Sequence, residues 1–112
     1  MIPDRLLPLT AALIRPALGS DRYGNTTVDY TGAATRTPIR AWIEQTSASE
    51  PLADGRDPAM TGWLLITNHL DIAARDRIEH DGRVLEVDGL PAPVHTPAGV
   101  HHLEARLKSV EG

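Results

Sequence analysis

The sequence predicts an all-β chain: a small single-domain β-barrel of about six short strands that carries two long polar loops. Three observations lead there. Asp81-Gly82 joins two short alternating runs, and such a two-residue link supplies the φ > 0 positions a tight hairpin turn needs. No run sustains a helical period, while alternation of period two recurs along the chain. A small sheet would leave edges exposed, and closure into a barrel removes them. At 112 residues the chain fits one domain with one modest core.

Taken in order, Met1 to Leu9 is apolar but broken by Pro3, Arg5 and Pro8, and it reads as a contact arm outside the barrel. Together with Arg15 and Pro16 these breaks argue against a signal peptide or a spanning helix, so a soluble, intracellular origin is expected. Leu9 to Ala17 alternates loosely and is predicted as a strand. Ser20 to Thr37, rich in Gly, Thr, Asp and Asn, is predicted as the first long polar connection, with room for a short strand at Thr27 to Tyr30. Pro38 to Thr46 alternates cleanly: Ile39, Ala41 and Ile43 point one way, and Arg40, Trp42 and Glu44 the other. Ser47 to Thr61, with two prolines and a glycine, is the second long connection. Gly62 to Thr67 (GWLLIT) is a continuous apolar run, predicted to be a strand buried on both faces. Asn68 to Arg75 crosses the barrel, with Leu70, Ile72 and Ala73 capping one end of the core.

The last third is a meander: Asp76–His80, Arg83–Asp88 and Val100–Val110, the last two joined by a Pro/Gly-rich link. Pairing across Asp81-Gly82 sets His80 opposite Arg83, Glu79 opposite Val84, Ile78 opposite Leu85 and Arg77 opposite Glu86. The Arg77–Glu86 pair is expected to be a cross-strand ion pair worth under about 1 kcal/mol. In the final strand Leu103, Ala105 and Leu107 share the inner face.

Composition narrows function. There is no cysteine, so disulfides and thiolate sites are excluded. Net charge is −4 with a single lysine, Lys108, and no basic cluster to grip nucleic acid. An oligonucleotide-binding barrel would also need stacking aromatics, and Trp42, Trp63, Tyr23 and Tyr30 are the only ones. So few bulky side chains bury limited area at about 25 cal/mol per Å2, and self-assembly is expected to add stability. Asn25-Thr26-Thr27 fits a glycosylation acceptor but has no meaning without secretion.

Each cluster of candidate residues falls short of a catalytic pattern. His101-His102-x-Glu104 places His102 and Glu104 on one strand face, two ligands where zinc needs three or four. Ser47, Ser49 and Ser109 lack a nucleophile elbow. Asp54-Gly55-Arg56-Asp57 lacks the acidic ladder of a calcium loop. Neither phosphate-binding glycine motif is present. No enzyme, metal or cofactor is expected. Trp42, on the polar face of its strand, is assigned to an interface and Trp63 to the core; Tyr23, His101 and His102 are further interface candidates. Loops beyond about 12–15 residues in a compact domain are usually functional or disordered, which marks the two connections as arms toward partners.

Several segments, in order and spacing, carry a family likeness. They are Arg15-Pro16, Asp21-Arg22-Tyr23-Gly24-Asn25, Thr37 to Gln45 with Ser49-Glu50, Gly55-Arg56-Asp57 and Thr61-Gly62-Trp63. Asp76-Arg77-Ile78-Glu79 to Gly89, and His101-His102-Leu103-Glu104-Ala105-Arg106-Leu107 with Val110-Glu111-Gly112, complete the set. From about Leu13 onward the chain resembles the head-to-tail stopper (head-completion, or head-closure) proteins of long-tailed bacteriophages, in particular those of actinobacterial phages. The resemblance implies a small barrel in a homo-oligomeric ring, twelvefold in the family, within the virion neck. Portal and adaptor would lie above it, and tail terminator and tail tube below. Genomic double-stranded DNA would meet the ring by transient steric contact, with no membrane involved. It also implies a channel-closing loop at Ser47–Met60, with Ser47, Ser49, Glu50, Leu52, Asp54, Arg56, Asp57 and Met60 as its candidate residues. Adaptor and tail-terminator proteins of the same neck are the neighbouring alternatives, and an oligonucleotide-binding barrel a more distant one.

Overall fold

The computed structural model describes residues 1–46 and 62–110. Among the described residues there are nine strands: β1 (Leu9–Arg15), β2 (Ala17–Ser20), β3 (Thr26–Asp29), β4 (Thr35–Thr46), β5 (Gly62–Thr67), β6 (Arg77–His80), β7 (Arg83–Val87), β8 (Ala92–Thr96) and β9 (Gly99–Ser109). Six of them close an antiparallel barrel in the order β5-β4-β1-β6-β7-β9 and back to β5, while β8 extends from β9 outside the closed wall. The described residues hold no α-helix, and a single 3-10 turn spans Asp4–Leu6.

Two long strands make closure work. The first half of β4 pairs with β1 and the second half with β5; Ala41 is the pivot, opposite both Leu9 and Thr67. In β9 the first half carries β8, and the second half pairs with β5 and β7. The interior is filled by Leu13, Ile39, Leu65, Ile78, Leu85, Leu103 and Leu107, interleaved with Ala11, Ala41 and Ala105. Barrel diameter grows with strand number, and this narrow six-stranded wall is filled mainly by aliphatic side chains. That is how a chain without phenylalanine packs a core: Trp63 is its one aromatic member, at 8% exposure.

The hairpin register predicted across Asp81-Gly82 is the observed one, pair for pair. Asp81 (φ 52°) and Gly82 (φ 75°) both occupy the left-handed region that turn demands. The inner face of β9 is also as predicted, with Leu103, Ala105 and Leu107 buried.

Other expectations are corrected. Pro16 divides the strand expected over Leu9 to Ala17, sending β2 into a separate two-stranded ribbon with β3. The Ser20–Thr37 connection is more structured than expected: besides β3, which falls where a short strand was allowed at Thr27 to Tyr30, it holds the ribbon turn and the start of β4. β4 begins three residues before Pro38, which pairs with Ala12 of β1. β5 contacts only Ala41 onward, so Pro38 lies where β4 has one neighbour and a missing N–H is tolerated. β8 was hidden in the Pro/Gly-rich link, since Pro91, Pro93 and Pro97 mask its alternation. β5 is fully buried on one face only: Trp63, Leu65 and Thr67 are inside, while Leu64 and Ile66 are half-buried. Of the proposed core cap, Ile72 is buried, whereas Leu70 and Ala73 are exposed. The Arg77–Glu86 ion pair does not form. Arg77 places its guanidinium 3.7 Å from the Tyr30 ring centroid, and Glu86 takes Lys108 at 3.4 Å.

The first residues lie along the barrel. Asn68 forms a reciprocal pair with the Ile2 backbone, donating to its carbonyl (2.8 Å) and accepting from its N–H (2.9 Å). Arg40 donates to the Asp4 carbonyl at 3.1 Å, and Leu7 is buried.

Candidate assembly surfaces

The predicted channel-closing residues, Ser47, Ser49, Glu50, Leu52, Asp54, Arg56, Asp57 and Met60, lie outside the described residues. What the structure gives is their base. Thr46 and Gly62 face each other as the last register pair of β4 and β5, so the two strands that residues 47–61 connect are adjacent and antiparallel at this end. A Cβ on Gly62 would stand 2.9 Å from the Thr46 hydroxyl, so glycine keeps the two strands close at this junction. Beside it, Trp63 and Gln45 with Arg83, Val84, Ser109 and Val110 line an open recess of about 510 Å3. The Arg83 guanidinium sits 5.3 Å from the Trp63 ring centroid, a cation–π contact at the mouth of the core.

The four predicted interface residues occupy three places. Trp42 is on the outer face of β4 at 40% exposure, and Tyr23 is at the turn of the β2–β3 ribbon at 74%. His101 and His102 lie together on β9. Their neighbourhood arises from a bulge: Val94 pairs with His102 and His95 with Val100, which leaves His101 as the extra residue. A bulge re-aims a side chain. Here it brings two sequence-adjacent rings edge to face, centroids 5.1 Å apart, with Nδ1 to Nδ1 at 2.8 Å. His102 Nε2 lies 2.8 Å from a Glu104 carboxylate oxygen. That carboxylate accepts the His102 Nε2–H, and the short Nδ1–Nδ1 contact requires one ring to donate and the other to accept. Desolvation first, then the positive N-terminus and His102, hold the His101 pKa below its ordinary value. Glu104 and the two imidazoles thus engage one another, and among the described residues no group of three His, Asp or Glu side chains is arranged to hold a metal ion.

Sequence reasoning missed an ionic clamp at the other end of β1. Arg15 donates from Nε (3.2 Å) and Nη2 (2.8 Å) to the two oxygens of Asp76, a bidentate fork. It also donates from Nη1 (2.9 Å) and Nη2 (3.1 Å) to the Asp71 carboxylate, and from Nη2 to the Asp71 carbonyl. Asp76 is buried and accepts the Ala73 N–H as well, at 2.8 Å. Hydrogen bonds from Arg15, then its charge, pull the Asp71 pKa down, and the two carboxylates push Arg15 up. With 56 and 61 residues between the partners, no local pattern announces the clamp.

No protein-family model matches the chain, and no curated protein matches its sequence. Among solved structures, a chain of the virion of a native gene transfer agent (GTA) particle matches over 89% of this chain and 91% of that one, with a TM-score of 0.65 and 15% identity. What the two chains share at that identity is the fold: the six-stranded barrel described above.

Proposed function

We propose that this chain is a structural subunit of a virion neck, a head-to-tail stopper that forms a ring below portal and adaptor. In this reading the 47–60 segments of the ring converge on the axis and obstruct the DNA channel, and the lower face receives the tail terminator and tail tube. The observation that carries it is the fold correspondence, over about nine-tenths of both molecules, with a chain of a GTA virion. Two features agree with it. The insertion connects two adjacent antiparallel strands at one end of a closed barrel, so the wall fixes its base. Its charges, Glu50, Asp54 and Asp57 against Arg56, leave it acidic, so it would block DNA sterically without releasing counterions from phosphates. The role asks for position and bulk, with no chemical step.

The test replaces residues 47–61 by Asn-Gly. Thr46 and Gly62 are already a register pair, and shortening the connection lowers closure entropy by at most about 2 kcal/mol, so the barrel stays folded. Particles carrying the shortened protein are expected to accept tails but lose packaged DNA; particles without the protein do neither task. Filled heads that retain DNA and take tails in the absence of the protein would overturn the reading.

A further inference from the structure

Among the described residues the strands of the β2–β3 ribbon pair only with each other. Apart from half-buried Ala17, all of its strand residues are exposed, including the directly paired Leu18 and Val28. An isolated two-stranded hairpin is marginal in water, so this one calls for other support. Its root is fixed: the Tyr30 hydroxyl donates to the Arg75 carbonyl at 2.7 Å, and Arg77 stacks on the Tyr30 ring. Its tip is fixed as well. Asp21 Oδ1 accepts from the Tyr23 and Asn25 N–H groups at 2.8 and 2.9 Å, and Gly24 turns the chain at φ 81°. This turn holds out Arg22 and Tyr23 together, with Arg22 Nη2 donating to the Tyr23 hydroxyl at 2.9 Å. A preorganised, exposed Arg–Tyr pair has the composition of an interface anchor.

A receptor of matching chemistry lies on the outer wall of the same fold. Across β4, β1 and β6 runs an open groove of about 420 Å3, floored by Ala12 and Pro38 and rimmed by Arg36, Glu79 and Asp81. Arg36 and Glu79 neutralise one another at 3.0 Å, so Asp81 leaves the rim net negative. At the tip the Asp21 carboxylate is engaged by the turn, and Arg22 supplies positive charge. The arm leaves β1 after Arg15, while the groove runs along the middle of that strand, from Thr10 to Ala12, with Arg36 opposite Ile14. Among the described residues no hydrogen bond or ion pair joins tip to groove within one chain.

We propose that the β2–β3 arm docks on a second copy of this chain, with Tyr23 over the Ala12/Pro38 floor and Arg22 facing Asp81 and Glu79. Two different surfaces of one molecule meet in this contact, which makes it heterologous, and repeating it closes a ring when the rotation allows. It rests on the ring reading above and names the contact that builds the ring.

Because the chain has no cysteine, the contact is open to direct cross-linking. Purified Tyr23→Cys chains mixed with Ala12→Cys chains under mild oxidation are expected to yield a covalent pair of twice 12.1 kDa, and the double variant a ladder of multiples. Arg22→Glu is expected to weaken association, read by sedimentation, at least about tenfold, and Arg22→Glu with Asp81→Arg to restore it. If the wild type assembles into rings while the cross-link fails, or while Arg22→Glu assembles as well as wild type, the arm contact is wrong and the ring stands. If the wild type stays monomeric and no cross-link forms, the arm contact is equally overturned, and the particle experiment alone decides the ring. Capture of Tyr23→Cys in particles by a protein other than this chain also overturns the proposal.

Discussion

Replacing Arg15 by methionine keeps the aliphatic stem and removes the fork that holds Asp71 and Asp76. Asp76 is 1% exposed, and its carboxylate would be left with one hydrogen bond, from the Ala73 N–H. Removing one partner of a buried ion pair costs about 3–5 kcal/mol. The Arg15 side chain is itself 38% exposed, so solvent screens part of the interaction and the expected loss is about 2–3 kcal/mol. For a domain of this size that lowers Tm by roughly 8–12 °C. Thermal unfolding followed by circular dichroism at neutral pH reads it. Asp76→Asn and the double variant complete a cycle in which the two single effects must fall well short of adding. The pH dependence has a definite sign. Asp71 titrates below its ordinary value in the fold, so its contribution is present above about pH 4 and is lost as pH falls through the lower folded value. Arg15 is raised, so its contribution would be lost only above any working pH. The gap between wild type and Arg15→Met therefore narrows in acid. A shift below about 2 °C, or strict additivity with Asp76→Asn, would refute the clamp.

The two tryptophans separate cleanly: Trp63→Ala removes a core side chain and is expected to cost about 3–5 kcal/mol, whereas Trp42→Ala, on the outer face, costs under about 1 kcal/mol by urea unfolding. Gly82→Ala meets no atom within 4 Å but must hold φ 75°, so it is expected to lose about 1 kcal/mol from backbone strain alone, read in the same assay. His101 is expected to titrate below about pH 6.5 by NMR. Its folded form resists protonation, so stability falls as pH drops through that ordinary value toward the folded one, and a His101 titrating at or above 6.5 would contradict the bulge geometry.

What could be read from the sequence follows from the range of the forces involved. The β6–β7 hairpin was legible to the residue because turn chemistry and alternation are local. So were the inner face of β9 and the assignment of Trp63 to the core. Closure was legible as a need, but its means were not: β4 and β9 each serve different partners along their length, and nothing in their alternation marks Ala41 as a pivot. Pro16 and the prolines around β8 obscured two strands, because a proline reads as an interruption even where one side of a strand is open. The bulge at His101 and the Arg15 clamp depend on residues distant in sequence or on a register shift, and neither leaves a pattern. Trp42 and Tyr23 were expected at interfaces and both are exposed, while the pairing of Tyr23 with Arg22 arises from the built turn and leaves no sequence pattern.

β4 links the arm's root to the start of the 47–61 segment. It follows the ribbon that carries Arg22 and Tyr23, and it ends at Thr46, where the 47–61 segment begins. Its twelve residues span about 40 Å, paired along one half by β1 and along the other by β5. A strand so held cannot slide by one residue without turning Ile39 and Ala41 out of the core. The distance from arm to insertion is therefore set by the barrel. In a ring built through the arms, that constraint would place every insertion at the same height and radius without any contact among the insertions themselves. Symmetric closure of a channel would then follow from the wall, and the insertion would be free to be polar, acidic and poor in apolar anchors, as Ser47 to Met60 is.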